Sequence, residues 1–205
     1  WLQKHPKDLN DYLTLAASVP RRQFLEWSKP EQMAFLLNVY NAATLKLIVE
    51  HYPVSSIRDI RAIGSVWNLK VVSLFGGKIS LSYLENQLLR KEFQASSVHF
   101  ALVCASKGCP VLRGNPYNAQ NLEDQFLDQT KSFLRDRSKN RVDLEKRIVY
   151  LSPIFKWYKE DFGESDADIL DFVATHFNQT ENSAIKSGEF KISYTDFDWQ
   201  INGSN

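Results

Sequence analysis

SKPEQMAFLLNVYNAATLKLIVE, residues 28–50, is the stretch whose reading decides the fold. Ser28 stands three residues before Glu31, with Pro30 between them, which is the capping box and early proline of a helix N-terminus. Beyond the box, apolar residues occupy nearly every face, so the helix over 31–50 is expected to be buried at the centre of the domain. Asn38 and Asn41 interrupt it, three apart and therefore on one side, with Tyr40 between them. Buried amides need partners, so this polar stripe either clamps the backbone of a neighbouring loop or lines a site.

On the N-terminal side, residues 8–18 and 21–27 read as two short helices divided by Val19-Pro20, packing as a lid on the central helix. On the other side, Pro53 stops the helix. Residues 54–68 then form a connection with at most one short helix, anchored by Trp67. Segments 69–75 and 78–80 flank Gly76-Gly77, a turn suited to a β-hairpin. Ser80 or Ser82 opens a helix over 81–93, in which Leu81, Leu84, Leu88 and Leu89 make the apolar stripe and Glu85 sits beside it. Val98 to Cys104 is too short and too apolar for an independent helix and reads as a buried strand emptying into the loop 105–108. An amphipathic helix follows over 118–137, then a polar turn at 138–141, a strand at 147–151, helices from 153 and from 166, and an extended edge over 189–202. These elements predict one globular domain over residues 1–205. Its class is α+β, mostly helical around the buried central helix, with a small and mainly antiparallel sheet.

Composition narrows the function classes. Lys and Arg total 25 against 24 Asp and Glu, a formal charge of +1, so no nucleic-acid partner is expected. No uninterrupted run of 18 apolar residues occurs, so no integral membrane segment is expected either. Aromatic residues make up 13% of the chain, enough for the core and for an aromatic-lined groove that could take a small molecule or a peptide. Phosphate loops, dinucleotide fingerprints and paired-histidine zinc motifs are missing, and neither a cofactor nor a metal is expected.

The chemistry concentrates in VHFALVCASKGCP, residues 98–110, which holds both cysteines and one of four histidines. Cys104 and Cys109 are the only soft nucleophiles, and a thiol at the end of a strand or the start of a helix is open to activation by nearby amides. A direct His99–Cys104 pair conflicts with strand geometry, since five extended residues span roughly 16 Å and place the two side chains on opposite faces. His99 must therefore work with groups from elsewhere, and Glu85 is the candidate to orient its imidazole. Asn41 is the candidate oxyanion or substrate donor, with Asn38 and Ser106 as further substrate contacts. Plainer roles compete: Cys104 as a core residue, a Cys104–Cys109 disulfide across the Ser106-Lys107-Gly108 turn, Glu85 completing a capping box with Ser82, or His99 and Glu85 on a metal.

AFLLNVYNA (34–42), SYLENQLLR (82–90), HFALVCASKGCPVL (99–112), IFKWYKEDFG (154–163) and YTDFDWQIN (194–202) together resemble the domain of unknown function 547 family across most of the chain. The resemblance implies a globular domain common in bacteria and often exported, hence a periplasmic or extracellular setting, and it places Asn38, Asn41, Glu85, His99, Cys104 and Cys109 on motif positions. Asn86 stands where many members carry His. The leading reading is a cysteine-dependent hydrolase or acyl transferase with a Cys/His/Glu site. The rival is a non-catalytic module that binds a peptide or a protein.

Overall fold

The computed structural model describes residues 4–203. At its centre is α3 (Lys29–His51), capped as its sequence requires: the Ser28 side chain accepts from the Glu31 backbone N–H while the Glu31 carboxylate accepts from the Ser28 N–H. This helix has the length and mean hydropathy, 1.2 over its best 18-residue window, of a segment that crosses a bilayer, yet 67% of that window is buried inside the chain. Leu36, Leu37, Val39, Tyr40, Ala43 and Leu47 anchor the first hydrophobic core. The helices α1 (Lys7–Ala17) and α2 (Arg21–Glu26) precede it; α1 packs on α3, and Phe24 of α2 enters the same core.

After the central helix, two 3-10 turns (Ile57–Ile60 and Val66–Asn68) replace the single short helix expected in the connection. The hairpin of β1 (Val72–Leu74) and β2 (Gly77–Ile79) forms, but its loop is Phe75-Gly76 rather than Gly76-Gly77. Both loop residues have positive φ, 53° and 78°, the hand that matches strand twist in a two-residue turn. Ser80 caps the next helix through the Tyr83 N–H. That helix runs from an α-turn α4 (Leu81–Tyr83) through a π-helical stretch, Leu84–Arg90, to a second α-turn α5 (Lys91–Phe93). Wide π segments are uncommon and concentrate at functional sites.

A second core lies beyond. It gathers α7 (Leu122–Arg135), a sheet of β3 (Arg141–Asp143), β4 (Ile148–Leu151) and β5 (Lys191–Tyr194), and the helices α8 (Ile154–Trp157), α9 (Lys159–Phe162), α10 (Asp166–Ala174) and α11 (Gln179–Ser187). Its sheet order is β3-β4-β5, antiparallel between the first pair and parallel between the second. β3 begins in the stretch read as a polar turn, and the tail supplies β5 as an edge, as its alternation suggested.

One expectation is overturned. Val98–Ala101 is not strand but a short helix, α6, after which the chain runs extended from Leu102. Val98, Ala101 and Leu102 pack into the first core and Phe100 into the second, so this turn is buried on opposite sides. That is why its sequence lacks helical periodicity: a helix sandwiched between two cores has no polar face to show.

Candidate functional site

The seam between the two cores opens as a cleft of about 220 Å³. Its floor comes from α3 and the π-helical stretch (Tyr40, Glu85, Asn86), one wall from α6 and the loop that follows (His99, Cys104, Cys109), and the other from α8 and the tail (Trp157, Tyr158, Phe197, Trp199), with Trp67 at the rim. The strand geometry that set His99 and Cys104 on opposite faces does not apply: with the turn of α6 followed by extended chain, His99 and both cysteines line one cavity.

The carboxylate on His99 is Asp161, not Glu85. His99 Nε2 lies 2.5 Å from Asp161 Oδ2, and the ring stacks on Tyr158 with centroids 4.0 Å apart. Arg90 Nε donates to the same Asp161 oxygen at 2.6 Å, its Nη2 donates to Glu160 at 2.9 Å, and its guanidinium lies over the Tyr158 ring. Burial pushes the Asp161 carboxyl up, but hydrogen bonds from Arg90 and His99 outweigh it and hold the group below the ordinary carboxylate range. Burial pushes the His99 imidazole down to about 4, against the opposing pull of Asp161. The ring is thus neutral at pH 7. With an ionised acceptor at Nε2 the proton sits there, and Nδ1, which makes no hydrogen bond among the described residues, keeps its lone pair.

Glu85 is 7% exposed and accepts from Tyr158 at 2.7 Å through one oxygen and from Tyr40 at 3.1 Å through the other. Burial raises its carboxyl above the ordinary range although both phenols and Arg90 pull the other way. Both tyrosine hydroxyls are pushed up in turn, chiefly by burial, with Glu85 adding to the shift. Tyr158 therefore links the buried acid to the imidazole: its hydroxyl holds Glu85 and its face holds His99.

Cys104 and Cys109 form a disulfide, with Cα atoms 5.9 Å apart, and no free cysteine remains among the described residues. In this oxidised form neither sulfur is a nucleophile. Cys104 is half-buried and Cys109 buried. Ala105, directly after Cys104, is held at φ 57°, a left-handed conformation costly for any residue with a Cβ. The loop is stitched to the tail: Lys107 N–H donates to Gln200 O, Gly108 N–H to Asp198 O and Asn202 N–H to Ala105 O. At Gly108 a Cβ would come within 3.0–3.1 Å of Phe197 and the Asp198 backbone, so any larger residue would have to push the tail back by a few tenths of an ångström.

Asn38, Asn41 and Ser106 stand outside the cleft. Asn38 exchanges two hydrogen bonds with the Tyr117 backbone, and Asn41 donates to Ala101 O while accepting from Val103 N–H. Both amides are engaged as backbone clamps, Asn41 with one of its two N–H donors and its carbonyl oxygen. Ser106 is fully buried, its hydroxyl directed to Cys104 O. Asn86, expected to stand in for a histidine, accepts from Arg90 and so steadies the Asp161 partner. Asp161, Arg90, Tyr158 and the tryptophan wall were not singled out from sequence. Their signal lay in SYLENQLLR, IFKWYKEDFG and YTDFDWQIN, where Arg90 and an acid beside the exposed Glu160 look like solvated charge.

No group of three His, Cys, Asp or Glu that could hold a metal occurs among the described residues. No curated relative and no solved structure matches the chain. A family model described as "Protein of unknown function, DUF547" matches residues 24–134, more than half of the sequence and all of the segment from α3 to the disulfide loop. The chain belongs to that DUF547 family.

Proposed function

We propose that the reduced chain is a cysteine-dependent acyl hydrolase or acyl transferase, with Cys104 as nucleophile, His99 as base and Asp161 as the group that orients His99. The observation that carries this reading is the lining of one cleft by both cysteines and by His99, whose Nε2 is held by a carboxylate and whose Nδ1 is left as a base, groups that thiol catalysis uses. Two backbone irregularities border the same cavity, the π-helical stretch that carries Glu85 and the left-handed Ala105 beside Cys104, and such irregularities gather at active sites. A disulfide also fits the oxidising setting that export would give.

The cycle starts with a dithiol reductant, which takes up the disulfide bond and leaves two thiols on the chain. His99 Nδ1 accepts the Cys104 proton. The sulfur bonds to the substrate carbonyl carbon, the bond from that carbon to the leaving amine or alcohol breaks, and the leaving group takes the proton from His99. Water or a second nucleophile then cleaves the thioester, returning the proton to sulfur. Glu85, whose carboxyl burial raises above the ordinary range, fixes Tyr158 and Tyr40 at the cleft through its two oxygens.

The test uses 4-nitrophenyl acetate with the chain before and after reduction. Reduced protein should release a burst of 4-nitrophenol and gain one acetyl group by intact mass; oxidised protein and reduced Cys104→Ala should do neither, and Asp161→Asn should slow acylation at least tenfold. No adduct on the reduced chain, or an adduct that survives Cys104→Ala, overturns the assignment. The disulfide itself favours a second reading, a non-catalytic module that binds a peptide against the tryptophan wall, and that reading takes over if the reduced chain is inert.

A further inference from the structure

We infer that the cleft continues past its tryptophan rim into an anion subsite formed by Arg58 and Arg61, so that its ligand carries a carboxylate or another oxyanion next to an aromatic or apolar body. The inference rests on the cleft being a ligand site, as proposed above, and adds the chemical class of the ligand. A hollow lies beside the cleft and shares two residues with it, Trp67 and Trp199; its remaining lining includes Arg58, Arg61 and Asp59. Trp199 is the hinge between the two spaces. On the cleft side it meets Phe197 at 4.4 Å and Trp157 at 5.7 Å between ring centroids, and on the other side the Arg58 guanidinium sits 5.1 Å above its ring.

The arrangement is held in place rather than draped on the surface. Ile201 N–H donates to Ser55 O, and Ser56 bridges to Gln200, which fixes the tail carrying Trp199 against the turn carrying Arg58. Arg61 donates to Ser65 O at 3.2 Å and folds over Gly64, whose φ of +79° turns the loop beneath it. The acid in the hollow, Asp59, is engaged in capping: its Oδ2 accepts from the Ser56 N–H, and it forms no ion pair with either arginine. Among the described residues neither Arg58 nor Arg61 has a carboxylate partner, whereas Arg90, on the other side of the cleft, is paired with Glu160 and Asp161. Two guanidiniums without counter-charges, one of them stacked on an aromatic wall, match a planar oxyanion attached to an apolar group.

Tryptophan fluorescence reports directly on this junction, and it needs no catalysis, so it works on the oxidised chain and fails or succeeds independently of the thiol assay. Titrations should compare N-acetyl-phenylalanine, its neutral amide and phenyl phosphate. N-acetyl-phenylalanine should bind at least tenfold more tightly than the amide, and the advantage should shrink with added salt and vanish in Arg58→Gln/Arg61→Gln, which leaves the amide's affinity unchanged. Tighter binding of phenyl phosphate than of the carboxylate assigns the subsite to phosphate esters; the reverse assigns it to carboxylates. Equal affinities for acid and amide, an advantage that survives the double substitution, or no saturable binding of either anion would overturn the inference.

Discussion

The two cores are built differently. The first is organised by one 23-residue helix with a complete capping box, against which a hairpin and short helices pack. The second is assembled from pieces of three to fourteen residues, among them the four-residue helices α8 and α9, and draws Phe100 from a distant part of the chain. Local interactions are enough to specify the first; the second exists only through contacts between segments far apart in sequence. The cleft lies where they meet, taking Tyr40 and Glu85 from one and Ile154 and Tyr158 from the other. The family match ends at residue 134, so it covers the cysteines and His99 but not the carboxylate hydrogen-bonded to His99.

The most severe way to break this arrangement is at Phe100. Its ring is fully buried among Phe133, Phe155, Phe162 and Phe172, while its neighbours in α6 face the first core. Phe100→Ala should cost about 4 kcal/mol in urea unfolding. If the second core depends on long-range contacts as described, protection from amide exchange should fall more over α8–α10 than over α3; an equal loss in both would mean that the cores unfold as one unit.

The same contrast explains what could be read in advance. Ser28, Glu31 and Gly76 announce their roles because capping and turn geometry are decided within four residues. Val98–Cys104 could not be read that way, since an apolar run of this length fits a buried strand as well as a helix buried on two sides. Once the strand is gone, so is the opposition of His99 and Cys104. Asn38 and Asn41 were legible as polar residues in a buried helix, but only the partners Tyr117, Ala101 and Val103 decide between clamp and ligand contact. Asp161 differs from Glu160 only in where the backbone of α9 points it, and nothing in KEDF states that.

A second test addresses the pH behaviour of the seam. The His99 pKa is lower folded, about 4, than its ordinary 6.5, so the unfolded chain binds the proton first. Its contribution is fully present above pH 6.5 and is lost as the pH falls through 4, a change of at most about 3 kcal/mol. Glu85 acts with the opposite sign, because its raised pKa favours the folded state in acid. The readout is therefore the difference between the native chain and His99→Gln across pH 4–6.5, which should narrow as the pH drops; a constant difference would remove His99 as the titrating group.

Reducing the disulfide should have a smaller effect. It closes a loop of six residues, for which chain entropy gives about 2 kcal/mol. The backbone bonds from residues 105, 107 and 108 to the tail do not depend on sulfur, so the reduced chain should keep its far-ultraviolet circular dichroism and unfold at modestly lower urea. Loss of structure on reduction would mean that the sulfur bridge, rather than the tail, holds the loop.

The smallest effect belongs to Ala105, and it bears on function most directly. Phe75, Gln94 and Arg147 also have positive φ, but each sits where a hairpin, a helix end or a strand turn requires it. Ala105 sits between Cys104 and Ser106 at the cleft, where the tail imposes the conformation through Asn202 N–H. Glycine relieves the left-handed strain but adds freedom to the unfolded chain and removes a methyl group that is only 7% exposed, so Ala105→Gly should shift stability by less than about 1 kcal/mol. If strain at this position aims the Cys104 sulfur, the variant should keep its stability and lose acylation rate in the reduced form. Unchanged stability with unchanged acylation would make the positive φ a product of the tail's stitching alone.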